Sequence, residues 1–229
     1  LESGMRGRWL FLFFFFLYSF SSSAVLSGDT EVRWSAARQV VRGMGFHIED
    51  HVQSRYAVEG LSGKRYSIWG PGQVMILTPF AGVGWVLEQK VSPEMANIMA
   101  EFLAALLLFP AVGAASVWGV AALGKGWGFS HRRSLMVGGL YGVSTMIWHY
   151  STLGHEQSQV ALCLIGALLC IQKTCRDRHP VCALCACACL GAAIFFRPGS
   201  VVAAILLYLY GCYGCSRDGN NWNKDALKQ

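Results

Sequence analysis

Long apolar blocks separated by short polar segments dominate the chain. The first, residues 9–26, carries no charged side chain and is long enough to cross about 30 Å of hydrocarbon as a helix. Further apolar runs at 94–123, 135–151, 157–171, 181–196 and 201–215 bring the candidate spans to about six, the shorter ones needing tilt or flanking polar side chains to reach both faces. The run 74–87 is different. It is short and contains Thr78, Pro79 and several small residues, a pattern more often interfacial or re-entrant than spanning. A signal peptide is the rival reading of the first run, since Ser21-Ser22-Ser23-Ala24 imitates a cleavage site, but its length favours a retained helix. The expected class is an all-α polytopic membrane protein, a single membrane domain over 1–229 with a polar tail at 216–229.

Residues 28–93 form a juxtamembrane segment within that domain. Over 30–44, Ala37, Val40, Val41 and Met44 fall on one stripe and Arg33, Arg38 and Arg42 mostly elsewhere, which predicts an amphipathic helix. Asp29 or Thr30 is placed to cap its start, where a carboxylate also suits the helix dipole. Residues 56–68 alternate like two short strands around a glycine-containing turn, and Trp69-Gly70-Pro71-Gly72-Gln73 continues neither strand nor helix.

Composition agrees with the pattern. With 54% hydrophobic and only 14% charged residues and a mean hydropathy of +0.39, the chain is too apolar for an ordinary soluble domain. The net charge of +6 does not imply nucleic acid, because the Lys and Arg are spread over short segments and form no basic stripe. They read as topology. Arg6 and Arg8 place the N-terminus in the cytoplasm, Lys125, Arg132 and Arg133 then fall inside, residues 149–156 outside, Lys173, Arg176 and Arg178 inside, Arg197 outside and Arg217 inside. This alternation requires 74–87 to stay on the outer side; were it to cross, the basic loops would face outward and the acidic turn at Glu156 inward. Arg33, Arg38, Arg42, Arg55, Lys64 and Arg65 in the outer segment count weakly, because long segments translocate largely regardless of charge. The expected location is an integral, multi-pass membrane protein, of the plasma membrane if the cell is bacterial.

All nine Cys lie from Cys163 onward, so disulfides do not hold residues 28–73 together. Cys182-x-x-Cys185 and Cys212-x-x-Cys215 have zinc-knuckle spacing but sit in apolar runs without His or carboxylate beside them; Cys182, Cys185 and Cys189 share a helical face and read as packing residues. No metal is assigned to them. Asp29 and Glu31 carry more promise, since a carboxylate at the point where a chain leaves the bilayer is near water yet bordered by low dielectric. His155-Glu156 is either a polar turn capping the next helix or part of a site, Arg197 either an interfacial anchor or a functional cation, and Lys64 and Arg65 either solvated charges or contacts to headgroup phosphate.

Taken in order, Gly28-Asp29-Thr30-Glu31-Val32-Arg33-Trp34, Gly63-Lys64-Arg65-Tyr66-Ser67-Ile68-Trp69-Gly70-Pro71-Gly72-Gln73, Leu140-Tyr141-Gly142 through His149-Tyr150-Ser151, His155-Glu156 and Phe195-Phe196-Arg197-Pro198 resemble motifs of the GT-C membrane glycosyltransferases, in the dolichyl-phosphate-mannose protein mannosyltransferase-like (aminoarabinose transferase-like) group. The resemblance covers nearly all of residues 9–210 and implies the N-terminal part of a longer GT-C module. It implies transfer of a sugar from a polyprenyl-phosphate donor to an acceptor hydroxyl, on a glycan, lipid or protein, at the outer face of the membrane. Asp29 then corresponds to the general base, with Glu31 the second candidate because the spacing to Trp34 is one residue longer than in some relatives. Arg197 corresponds to the cation facing the leaving phosphate, with Lys64, Arg65 and Tyr66 as helpers, and Glu156 with His155 to a group that binds the acceptor, orients the sugar or supports a metal. Asp29 and Glu156 offer oxygen ligands to Mg or Mn, but two acids without fixed spacing are not a metal motif. No other cofactor is implied. The alternatives are a polytopic transporter, which would place charges or broken helices near the bilayer midplane or show paired repeats, and an inactive truncated membrane fragment.

Overall fold

The apolar runs fold as helices. The computed structural model describes residues 2–23, 26, 28–49 and 56–216, with side chains from residue 7 to residue 215; Arg55, Arg217, the tail beyond Ser216, Ala24 of the cleavage-like site and the side chain of Arg6 lie outside the described residues. In chain order the elements are α1 (Glu2–Ser21), α2 (Asp29–Val41), β1 (Ala57–Glu59), β2 (Arg65–Ser67), α3 (Gly72–Leu87), α4 (Pro93–Leu103), a π turn (Ala104–Leu108), α5 (Phe109–Gly126), α6 (His131–Ser144), α7 (Ile147–Leu153), α8 (Glu156–Asp177), α9 (Pro180–Phe196) and α10 (Val201–Ser216). The fold is all-α apart from the expected hairpin, in which Ala57 pairs with Ser67 and Val58 with Tyr66.

Among the described residues three helices are long and apolar enough to cross a membrane: Pro93–Gly126, Glu156–Asp177 and Pro198–Cys215. The apolar helices Gly7–Ser21, Gly72–Leu87 and Pro180–Phe196 are shorter. The run 135–151 is not one helix but two, divided at Thr145. Its backbone is extended (φ −119°, ψ 171°), its hydroxyl donates to the Tyr141 carbonyl at 2.6 Å, and the same oxygen accepts the Ile147 amide at 3.3 Å. One side chain thus closes α6 and serves a first-turn donor of α7.

The helix Pro93–Gly126 is continuous but changes pitch midway. Pro110 has no amide hydrogen to give the Leu106 carbonyl four residues earlier, and the ladder widens into the π turn Ala104–Leu108 just before it. Hydroxyls at the end of α1 and just beyond it face the displaced carbonyls: that of Ser19 lies 2.9 Å from the Leu106 oxygen and that of Ser22 3.3 Å from the Ala105 oxygen. At its other end α1 sets Gly7 against Trp118, and between them Phe14 and Tyr18 pack with Ala114 and Val117, so α1 and α5 run antiparallel. At about 1.5 Å per residue, α4 therefore projects well past the end of α1.

That projection carries a second layer. Helices α2, α3 and α4 pack around Val32, Trp34, Ala37, Leu77, Ala81 and Ala100, and α3 meets the end of α9. Contact with two sides changes the character of α2. The expected amphipathic surface helix is instead buried over Val32 to Ala37, including Arg33 at 0% exposure, and it ends at Val41, leaving Met44 outside the helix and exposed. Its polar stripe is spent on internal pairing rather than on water.

Candidate functional site

The end of the bundle where α1 stops brings together the start of α2, the α7–α8 turn, residues 69–73 and the α9–α10 corner. Asp29 is the first residue of α2, after Gly28 as N-cap, so its carboxylate is favoured by the helix dipole while remaining free to point at other side chains. Its Oδ1 lies 3.3 Å from His155 Nδ1 and its Oδ2 lies 3.3 Å from Arg33 Nη2. Arg33, one turn further on and on the same face, pairs through the same Nη2 with the Oε2 of Glu156. Glu156 is 1% exposed, and its other oxygen lies 3.7 Å from Arg197 Nη1. Arg197 is 38% exposed. The indole of Trp69 receives both guanidinium groups, with the Cζ of Arg33 5.5 Å and that of Arg197 5.8 Å from its ring. The result is an ionic chain from Asp29 through Arg33 and Glu156 to Arg197, with His155 beside Asp29 at one end.

Two glycines make this meeting possible. Gly154 takes the left-handed conformation (φ 75°) that ends α7, and a Cβ there would also stand 2.7 Å from the Phe109 ring. Its carbonyl accepts the Thr30 hydroxyl at 3.2 Å and the Gln73 amide, tying α2 and α3 to the turn that presents His155 and Glu156. Gly70 lies so close to α9 that a Cβ would approach the Phe195 carbonyl oxygen to 2.4 Å; the Trp69-Gly70-Pro71-Gly72 break is what lays Trp69 beside Arg197.

Burial alone would raise the Asp29 pKa, but the hydrogen bond with His155 and the charge of Arg33 outweigh it and hold the carboxyl below its ordinary value. A depressed folded-state pKa stabilises the fold above the unfolded value near 3.8, and that contribution disappears as pH falls through the lower folded value. The difference in thermal stability between wild type and Asp29→Asn is therefore expected to shrink as the pH falls below about 3.8, read from unfolding curves at matched pH.

Arg33 Nε and Nη1, Trp69 Nε1 and Glu156 Oε1 are buried and lack a hydrogen-bond partner among the described residues. Of the two guanidinium groups only that of Arg197 is reachable from solvent, and its N–H donors have the fork geometry that pairs with an oxyanion. Asp29 next to them is an ionised carboxylate 13% exposed, able to accept a proton. A divalent cation between Asp29 and Glu156 does not fit this arrangement, because the Arg33 Nη2 nitrogen already bridges the two carboxylates. Among the described residues no group of three or more His, Cys, Asp or Glu is arranged to hold a metal ion.

Four of the sequence-derived candidates, Asp29, His155, Glu156 and Arg197, thus meet at one place. Glu31 does not join them. Two residues along a helix is about 200° around it, and Glu31 opens instead onto a polar recess of about 310 Å3 with Trp34, Arg38, Arg42, Glu94 and Glu101. Lys64, Arg65 and Tyr66 sit on the hairpin, where the Tyr66 ring packs over Gly60 and the Arg65 carbonyl accepts the Ile48 amide at 2.9 Å. Sequence reasoning missed Arg33, Trp69, Thr30 and Gln73. The spacing of four between Asp29 and Arg33 was the available signal for an ion pair on one helix face; nothing in the spacing of Trp69 or Gln73 points to α9 or to Gly154. Compared with protein-family models, curated proteins and solved structures, the chain matches none.

Proposed function

We propose that the chain is a polytopic membrane glycosyltransferase of GT-C type that moves a sugar from a polyprenyl-phosphate donor to an acceptor hydroxyl, with the Asp29–Arg197 end facing outward. In this reading α1, Pro93–Gly126, α6 with α7, α8, α9 and α10 make six spans, and α2, the hairpin and α3 lie on the outer side. The observation that carries the proposal is the convergence of Asp29, Glu156 and Arg197 from three separate elements through the buried Arg33.

The chemistry assigns each group a task. Asp29 takes the acceptor's hydroxyl proton as its oxygen bonds to the anomeric carbon. The bond from that carbon to the phosphate oxygen breaks on the opposite side, giving inversion, and the polyprenyl phosphate departs with the bonding pair. Arg197 faces the negative charge that develops there, in a partly dry site where a fixed cation is most effective. Glu156 keeps Arg197 oriented, and the Trp69 ring lies beside both guanidinium groups, Arg33 buried and Arg197 open to solvent.

Recognition of the phosphate is the first requirement. Farnesyl phosphate should bind the detergent-solubilised chain at least about tenfold more tightly than farnesol, and Arg197→Gln should remove that difference. Equal binding of the two lipids, or an undiminished preference in the variant, would remove Arg197 from the donor site. Solute flux in proteoliposomes without any sugar transfer would replace the transferase reading with a transporter.

A further inference from the structure

A cavity of about 1060 Å3 lies at the end of the bundle opposite the Asp29 site, between α1, α5, α6, α8 and α10. Its interior is apolar, built by Phe11, Leu12, Trp118, Ala121 and Leu135 among others, and its rim carries Arg8, Lys125, His131, Lys173 and Arg176. Among the described residues no acidic side chain lines it. Arg176 is paired with Asp177 at 2.9 Å, but Arg8, Lys125 and Lys173 have no ion-pair partner among the described residues. Also lining it, His131 Nε2 and Gln172 Nε2 are buried without a hydrogen-bond partner among the described residues. Apolar depth, a cationic rim and unused polar nitrogens describe an amphiphile with an anionic head.

We propose that this cavity is a binding site for an anionic phospholipid, its phosphate held by Lys125, Lys173 and Arg8 and one acyl chain running between α1 and α6. The proposal rests on the membrane reading given above, which sets this end at the cytoplasmic leaflet, where anionic lipids concentrate and basic pockets between helices hold their headgroups. Trp127, next to Lys125 and exposed, suits the same depth, since such rings favour the membrane interface. The chain's own residues 217–229 do not complement the rim: Arg217, Lys224 and Lys228 outnumber Asp218 and Asp225.

The test is native mass spectrometry of the full chain released from detergent micelles doped with equal amounts of phosphatidylglycerol and phosphatidylcholine of the same acyl chains. Phosphatidylglycerol should be retained about tenfold more than phosphatidylcholine, and Lys125→Gln with Lys173→Gln should bring the two to parity. Raising the salt should weaken the wild-type preference as well, which keeps the test decisive if the double variant does not fold. Equal retention of the two lipids by wild type, a preference indifferent to salt, or displacement of the lipid by inorganic phosphate alone would overturn the site. Carbonate extraction separates the two levels of the argument: release of the chain from membranes overturns the membrane reading, whereas a chain that stays in membranes yet shows no lipid preference overturns only this site.

Discussion

Arg33→Met is expected to destabilise the protein by about 3–5 kcal/mol, the range found when one partner of a buried ion pair is removed. Methionine fills much of the volume, so the loss is not mainly one of packing. What disappears is the positive charge between Asp29 and Glu156, which leaves two carboxylates near each other with Glu156 almost wholly out of water. Burial also depresses the Arg33 pKa, countered by Glu156 and Asp29, and a guanidinium is so basic that it stays charged at neutral pH. The pairing therefore offsets a real desolvation cost rather than adding a free bonus. Combining Arg33→Met with Glu156→Leu should recover part of the loss, because an apolar replacement of the whole pair removes the stranded charge. Thermal unfolding in detergent of wild type, the single variant and the double variant measures both effects; a single variant as stable as wild type would show that the cluster does not hold the two layers together.

Asp29→Asn is expected to lower sugar transfer by about 10²- to 10⁴-fold while the protein still folds and inserts. The amide keeps the shape and the hydrogen-bonding reach toward His155 and Arg33, but it cannot take a proton from the acceptor. Glu31→Gln should stay close to wild type, since Glu31 faces the recess on the other side of α2. Initial rates of transfer at equal amounts of membrane-inserted protein make the comparison. A Glu31→Gln loss larger than that of Asp29→Asn would exchange the two roles.

Much of the helical order was legible in the chain because apolar blocks and their polar breaks are strong, long-range signals. The hairpin was legible from alternation around Gly60 to Gly63. Three features were not. The split between α6 and α7 falls at Thr145, whose hydroxyl bond to the carbonyl four residues back is also made by Thr78 and Thr174 inside unbroken helices, so the residue type does not mark the break. The π turn needed Pro110 and a serine from α1 in register with it, and the sequence shows the proline but not the partner. Arg33 was misplaced because an arginine on the polar side of an amphipathic pattern ordinarily meets water; here that side meets the α7–α8 turn, and the buried charge finds two acids. The same long-range packing explains why Asp29, Glu156 and Arg197 were each ambiguous alone: a first-turn acid, a turn acid and a helix-end arginine all have ordinary explanations until Arg33 and Trp69 join them.

The most direct measurement is sugar transfer by the purified full chain in proteoliposomes, following release of polyprenyl phosphate from a polyprenyl-phosphate sugar in the presence of membrane acceptors. Time-dependent release by wild type, reduced at least about a hundredfold in Asp29→Asn and little changed in Glu31→Gln, is the result predicted. No release by wild type, or equal release by wild type and Asp29→Asn, would contradict it.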